Sequence, residues 1–157
     1  MNYTIREIQP QDNLAVEAVI RSCLIEFGAN RPGTAWCDPD LHRFSEVYAG
    51  ENRRYWVGVD ENGVVVAGAG IGPLTDDLCE LQKMYCLPHA RGTGLAHRLM
   101  EACLDFAGRH YRQVYIETFR NMYAAQKFYE KYGFVPIPER PFTTEHFACD
   151  VLYLKNL

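Results

Sequence analysis

Apolar and polar residues alternate along this chain with two different periods. Apolar positions recur at helical spacing between residues 10 and 28, and this predicts a helix that ends at Gly28. The same spacing returns in residues 95–108 and in residues 121–132, where Gly133 supplies a C-terminal stop. A shorter helix is predicted for residues 38–48, with its cap and first turn at Asp38 and Pro39.

Strands are predicted where short apolar stretches lie between turn signals. Residues 55–59 and 64–71 are joined by Asp60-Glu61-Asn62-Gly63, and the Asn-Gly pair is typical of a tight hairpin. The other predicted strands cover residues 3–8, 78–87, 113–118, 134–137 and 146–154. The element order is therefore β-α-α-β-β-β-α-β-α-β-β. No repeat or low-complexity tract interrupts it, so we expect residues 1–157 to form one domain.

Composition narrows the classes of function. A hydrophobic content of 48% indicates a compact globule, while a net charge of −4 disfavours nucleic acid or an anionic membrane as the partner. The sequence has no apolar run of membrane-spanning length and no signal-peptide pattern. Its six cysteines show neither a Cys-x-x-Cys pair nor metal-ligand spacing. We therefore expect a reduced, cytoplasmic protein without a metal.

The strongest chemical signal is a strand that runs into a glycine-containing loop and then directly into a helix. Arg91, Gly92 and Gly94 occupy this loop. The unpaired N–H groups and the dipole at a helix N-terminus attract anions, and glycine lets the backbone approach a phosphate. Five basic residues are expected to form a patch around the loop: Lys83, His89, Arg91, His97 and Arg98. This pattern predicts a site for a small polyanionic cofactor.

A dinucleotide-binding fingerprint is an alternative interpretation of the same loop. The stretch Gly92-Thr93-Gly94-Leu95-Ala96-His97 lacks the third glycine of Gly-x-Gly-x-x-Gly, and it lies in mid-chain rather than after the first strand. Both features disfavour a nicotinamide cofactor. A turn that binds no anion is a further alternative.

The spacing Arg91-x-x-Gly94-x-Ala96 resembles the acyl-CoA signature of the GNAT superfamily of acetyltransferases, Arg/Gln-x-x-Gly-x-Gly/Ala. Residues 125–134, Ala-Gln-Lys-Phe-Tyr-Glu-Lys-Tyr-Gly-Phe, resemble the family segment Ala-x-x-Leu/Phe-Tyr-x-x-x-Gly-Phe, and the element order is that of the family. The resemblance thus spans almost the whole chain. It implies an α/β fold with a central, twisted, mostly antiparallel sheet of about seven strands and helices on both faces.

The same resemblance implies the cofactor and several site residues. It assigns the binding of acetyl-CoA to Met84, Tyr85, Cys86, Arg91, Gly92, Thr93, Gly94, Leu95, Ala96 and Asn121. Main-chain groups of the first three would pair with pantetheine and polarise the acetyl carbonyl. Where the family often has asparagine, seven residues before its tyrosine, this chain has Met122. The neighbouring Asn121 is therefore either a cofactor ligand or a helix cap.

Two residues are candidates for proton transfer. In the family, the tyrosine at the position of Tyr129 protonates the departing thiolate, and a phenol with an ordinary pKa near 10 can do so. The alternative for Tyr129 is a core aromatic on a helix. Glu80 resembles the position of a glutamate that acts as a base in some relatives, although a solvated surface carboxylate is an equal alternative. A covalent acetyl-Cys86 intermediate is disfavoured, since no histidine partner motif accompanies it.

The acceptor side of the site is less well defined. Glu117 and His146 are expected to bind substrate, in a pocket built from residues 29–39, the glycine-rich strand and residues 136–145. The alternatives for each are a role as the base or a structural residue paired with its neighbours. The predicted function is transfer of an acetyl group from acetyl-CoA to an amine of a small molecule or peptide, directly and in a ternary complex. The alternative is a non-catalytic acyl-CoA-binding or regulatory module on the same fold. An edge strand near the C-terminus is compatible with a homodimer, and the sequence does not identify the acceptor.

Overall fold

The computed structural model describes residues 2–142 and 150–157. The strands are β1 (Thr4–Glu7), β2 (Arg54–Val59), β3 (Val65–Pro73), β4 (Leu78–Cys86), β5 (Gln113–Thr118), β6 (Val135–Pro136) and β7 (Val151–Asn156). The helices are α1 (Asn13–Glu26), α2 (Phe44–Val47), α3 (Leu95–His110) and α4 (Tyr123–Lys131). Short 3-10 turns lie at Pro10–Asp12, Ala35–Cys37 and Pro88–Ala90. No helix among the described residues is both long and apolar enough to cross a bilayer.

All seven strands form one sheet in the order β1-β2-β3-β4-β5-β7-β6. Every neighbouring pair is antiparallel except β4 and β5. Alternate residues of a strand point to opposite faces. Tyr55, Val57 and Val59 of β2 accordingly pack in the hydrophobic cluster beneath α1 and α2, whereas Trp56 packs in the cluster beneath α3. The mixed sheet with helices on both faces, which the family resemblance implied, is confirmed.

The strand β4 contains a bulge. Its register with β3 shifts between Gly68 and Gly70, and Lys83 on the bulged segment has a φ of 51°, unusual for a residue with a side chain. The buried hydroxyl of Tyr55 donates a 2.7 Å hydrogen bond to the carbonyl oxygen of Lys83. A Cβ at Gly68 or Gly70 would lie 2.5 Å from the Tyr55 side chain, so these glycines leave room for the tyrosine that holds the bulge.

The parallel strands β4 and β5 diverge. Both lie wholly within the described chain, and their pairing stops after Leu78–Gln113, Cys79–Val114 and Glu80–Tyr115. Beyond this point β4 stays paired with β3, while β5 stays paired with β7 as far as Thr118. The sheet is therefore open between the second half of β4 and the end of β5.

Several element boundaries differ from the sequence-based expectation. Helix α2 begins at Phe44 rather than near Pro39, because Arg43 has a non-helical φ of −141°. Helix α3 passes through Gly108 and ends at His110, where the next residue, Tyr111, is anchored by a hydrogen bond from its hydroxyl to the carbonyl of Asn52. The sixth strand is only two residues long. The predicted start of the last strand, including His146 and Cys149, lies outside the described residues.

Candidate active site

The gap between β4 and β5 opens into two adjoining cavities. The larger, of about 230 Å³, lies between the end of β4, the start of α3 and the face of α4. The smaller, of about 80 Å³, lies between β4 and β5 themselves. Four residues line both cavities: Met84, Tyr85, Met122 and Tyr129. The two spaces therefore meet at these side chains, which lie where a donor and an acceptor molecule would come into contact.

The larger cavity is suited to a slender, mainly apolar chain. Its wall on the helical side includes Ala96, Ala124 and Ala125, whose short side chains leave the groove open, together with the ring of Phe128. Cys86 and Phe27 close the side next to β4 and α1. This is the shape that the predicted role in pantetheine binding requires.

The glycine-containing loop before α3, beside this cavity, exposes main-chain N–H groups. Gly92 and Gly94 have φ values of 74° and 88°, and no atom lies within 4 Å of a Cβ built at either residue. Gly94 is the N-cap of the 16-residue helix α3. Within the described chain, no backbone carbonyl accepts a hydrogen bond from the N–H of Gly92, Thr93 or Gly94. Such a loop fits an anion through its backbone.

Four of the five basic side chains expected around this loop have partners within the protein. The Arg91 guanidinium forms two 2.7 Å contacts with the Glu26 carboxylate of α1, and its Nε donates to the Cys86 carbonyl at 2.9 Å. Arg98 donates to the backbone oxygen of Tyr3. These contacts engage the two arginines, while the basic patch around the loop stays a prediction. The ion pair lowers the pKa of Glu26, chiefly through the hydrogen bonds from Arg91.

Lys83, another residue of the expected patch, also has a partner. It lies on the β4 bulge, lines the smaller cavity, and forms a 2.7 Å ion pair with Asp38. His97 shares a 2.8 Å hydrogen bond with the Tyr132 hydroxyl instead of remaining available at the loop.

Tyr129 lies at the junction of the two cavities and is only 7% exposed. Its ring packs edge-on against Phe134 and Tyr153. Tyr129 therefore packs as a core aromatic, and its role as the acid stays a prediction.

Asn121 does not cap the following helix. The N-cap of α4 is Met122, and the Asn121 side-chain amide donates to the Phe27 carbonyl at 3.3 Å. Asn121 thus connects the start of α4 to the end of α1 beside the larger cavity. Met122, which occupies the position where the family often has asparagine, contacts both cavities and was not expected there from the sequence.

Cys86 is a poor nucleophile in this setting. Burial raises the pKa of its thiol to about 11, an effect only partly offset by the positive charge of Arg91. The thiol is therefore protonated near neutral pH, whereas attack on an acyl group requires the thiolate. This agrees with the expectation that no acetyl-cysteine forms.

Glu80 lies where the strands begin to diverge and is oriented by a hydrogen-bonded chain. The Gln82 amide nitrogen donates to the Glu80 carboxylate at 2.9 Å, and the Tyr48 hydroxyl donates to the Gln82 amide oxygen at 2.7 Å. A Cβ at Gly72 would lie 2.5 Å from that amide oxygen, so the glycine makes space for Gln82. Burial raises the pKa of Tyr48, which keeps its hydroxyl a donor.

Glu117 faces the smaller cavity from β5, but it is already engaged in an ion pair. Arg140 lies 3.2 Å from its carboxylate, and the Glu117 side chain is only 5% exposed. The structure therefore brings together Glu80, Glu117, Lys83 and Tyr129 around one small space. His146, the other predicted substrate ligand, lies outside the described residues.

The sequence did not identify Gln82 or Arg140 as site residues, and it placed Lys83 near the cofactor loop rather than in the smaller cavity. Alternation along β4 could have placed Gln82 on the same face as Glu80, two residues away. The bulge at Lys83 and the approach of Arg140 depend on contacts with distant parts of the chain, and no local pattern marks them.

No group of three or more His, Cys, Asp or Glu in residues 2–142 and 150–157 is arranged to hold a metal ion.

Comparison with known proteins places these features in a family. The model of the acetyltransferase (GNAT) family matches residues 21–134. The chain is 39% identical to the uncharacterized N-acetyltransferase YjgM of Escherichia coli strain K12, over 98% of this chain and 94% of that protein. It is also 37% identical to the N-acetylaspartate synthetase of Xenopus tropicalis, over 51% of this chain and 30% of that protein.

Solved structures share the architecture. A GNAT-family acetyltransferase from Staphylococcus aureus Mu50 superposes with a TM-score of 0.88 at 19% identity, covering 99% of both chains. The yncA acetyltransferase of Salmonella typhimurium, solved with its cofactor acetyl-CoA, superposes with a TM-score of 0.75 at 18% identity, over 99% of this chain and 94% of that one. The match of the family model over most of the chain, together with the full-length relative, shows that this protein belongs to the GNAT family of acetyltransferases.

Proposed function

We propose that the protein transfers the acetyl group of acetyl-CoA directly to an amine held in the smaller cavity. The observation that carries this proposal is the meeting of two cavities at Tyr129, one larger and mainly apolar and the other small and lined by both polar and apolar residues. Transfer between two bound molecules needs both to reach one point, and a ternary complex in these cavities meets that requirement.

The donor fits the larger cavity and the loop above it. The exposed main-chain N–H groups of residues 92–94 are suited to the pyrophosphate, and the alanine-lined groove is suited to pantetheine. Main-chain groups of Met84, Tyr85 and Cys86, on the open edge of β4, are placed to pair with the pantetheine amides. The side chain of Arg91 instead holds β4 against α1 through Glu26. Asn121 contributes by fixing the entrance of the groove.

Proton transfer is assigned to two side chains. Tyr129 donates a proton to the departing thiolate of CoA, from a buried position at the junction of the cavities. Glu80, oriented by Gln82 and Tyr48, accepts the proton of the acceptor amine, directly or through water. The protonated state of Cys86 favours this direct route over a covalent acetyl-enzyme.

A non-catalytic acyl-CoA-binding module is the second candidate, because a shared fold does not by itself establish turnover. The two are separated by assaying release of the free CoA thiol with a panel of amines. A catalyst releases CoA in an acceptor-dependent way, and mass spectrometry then shows the acetylated amine. A binding module releases none, although acetyl-CoA still raises its thermal stability.

Tyr129→Phe tests the assignment of the acid. The ring and its packing remain, but the proton donor to the thiolate is lost, so kcat should fall by about 10²-fold or more with a nearly constant KM for acetyl-CoA. Tyr123→Phe on the same helix is the matched control, because Tyr123 is 68% exposed. Wild-type kcat in Tyr129→Phe, with the acetyl-transfer step shown to be rate-limiting, would remove Tyr129 from the mechanism.

A further inference from the structure

The smaller cavity contains charges of both signs on facing walls. On β4, Lys83 lines the cavity, and its side chain, which is paired with Asp38, is 13% exposed. On β5, Glu117 lines it, and its side chain, which is paired with Arg140, is 5% exposed. Glu80 lies at the closed end, where the two strands are still paired. A neutral or purely cationic acceptor does not need a buried ammonium in its pocket, because that charge repels a protonated amine.

The position of Lys83 is held by two contacts, one to its main chain and one to its side chain. Its φ of 51° belongs to a region that side-chain-bearing residues rarely adopt and keep only where their surroundings fix them. The Tyr55 hydroxyl holds its carbonyl, and Asp38 holds its ammonium at 2.7 Å. An ammonium has three N–H donors, and Asp38 engages it from the side of the 29–39 loop. A second carboxylate approaching from the cavity can therefore share the same ammonium.

We infer that the acceptor is an amine that also carries a carboxylate, of the α-amino acid class, with its carboxylate on Lys83 and its amine facing Glu80 and Glu117. This inference rests on the proposed acetyl transfer and names the substrate class for it. A water molecule occupies ~30 Å³ in the liquid, so a cavity of about 80 Å³ suits the polar end of a small molecule.

The first test uses the full-length wild-type chain with matched acceptors. Each common L-amino acid is compared with its α-amide, which keeps the amine and side chain but lacks the carboxylate. We expect kcat/KM for the best amino acid to exceed that for its amide by about 10- to 100-fold, the range for one charge-assisted hydrogen bond. Equal or better use of amides, decarboxylated amines or peptides would overturn the inference while leaving the proposed function intact.

The second test identifies the residue responsible. Lys83→Met keeps the length of the side chain without its charge, so the preference for the amino acid over its amide should shrink to a ratio close to one. Lys127→Met is the matched control, since Lys127 lies exposed on α4 outside both cavities, and it should retain the wild-type ratio. An unchanged ratio in folded Lys83→Met would overturn the assignment to Lys83.

Different results refute the proposed function and the inferred substrate class. Acceptor-dependent CoA release without any carboxylate preference refutes only the substrate class. No CoA release with any amino acid, amide or amine refutes the proposed function and the inference together. The wild-type comparison decides the substrate class even where Lys83→Met does not fold.

Discussion

Removing the hydroxyl of Tyr55 should weaken both the fold and the binding of acetyl-CoA. Tyr55 is 1% exposed, and its hydroxyl donates to the carbonyl of Lys83 at the β4 bulge. In Tyr55→Phe the ring still fills the space left by Gly68 and Gly70, so little packing is lost. The carbonyl of Lys83 loses a buried donor, at a cost of about 1–3 kcal/mol. For a domain of this size, that corresponds to a fall of roughly 2–12 °C in Tm.

The expected effect on acetyl-CoA binding follows from the position of the bulge in β4. Lys83 precedes Met84 and Tyr85, which line both cavities. Without the hydrogen bond, Lys83 can relax from its positive φ and shift the main chain that the donor is proposed to contact. We therefore expect the KM for acetyl-CoA to rise in Tyr55→Phe. Stability is measured by urea unfolding, with the m-value checked for constancy, and KM by initial-rate kinetics.

Tyr111→Phe supplies the matched control. Tyr111 is also buried, and its hydroxyl also donates to a backbone carbonyl, that of Asn52, but it lies at the end of α3 and lines neither cavity of the cleft. It should lose comparable stability with an unchanged KM for acetyl-CoA. If Tyr55→Phe and Tyr111→Phe behave alike in KM, the bulge does not depend on Tyr55 in the way argued.

Three further predictions concern other parts of the molecule. Gly94→Glu should abolish the thermal stabilisation by CoA while the protein still folds. Its Cβ would point into open space, and the positive φ costs only about 1–3 kcal/mol. A CoA-induced rise in Tm equal to that of the wild type would rule out the proposed phosphate site. The hydrogen bonds from Arg6 hold the pKa of Asp12 below its usual value, so this pair stabilises the fold above about pH 4 and loses its effect as the pH falls through the lowered pKa. In urea unfolding, the free energy of unfolding should fall less steeply with decreasing pH in Asp12→Asn than in the wild type. Identical slopes would contradict the link between this ion pair and stability. Iodoacetamide near neutral pH should label the exposed Cys37 well before Cys86, as followed by peptide mass spectrometry, and preferential labelling of Cys86 would reopen the covalent route.

The sequence predicted those parts of the fold that depend on local patterns. The Asn-Gly hairpin, the strand at residues 113–118 and the helix after the glycine loop all follow from spacing and turn residues near each other in the chain. The opening between β4 and β5 was not predicted, because no local pattern in the sequence marks it. The opening begins after Glu80, because from there on β5 pairs with β7 and no longer with β4.

The side-chain environment of the site could not be predicted in the same way. Arg91 was expected at the phosphate because of its motif, but its partner Glu26 lies 65 positions away, and only the folded chain brings the two together. The same holds for Tyr48 and Gln82, 34 positions apart, and for Glu117 and Arg140. Ion pairs and hydrogen bonds between distant segments decide whether a charged residue is available to a ligand, and no spacing rule contains that information.

The divergence of β4 from β5 affects which mutations this protein can tolerate. On the side of β4 that faces the opening, the main-chain groups beyond Glu80 find no partner on β5, so the proposed donor wall consists of peptide groups that every residue carries. Replacement of side chains along this wall leaves its hydrogen-bonding pattern in place, provided that the strand stays extended and no proline enters. The facing walls at Lys83 and Glu117, by contrast, depend on side-chain identity. Mutations that alter acceptor choice can therefore accumulate with little loss of donor binding, which makes the smaller cavity the natural target for redesign toward new amines.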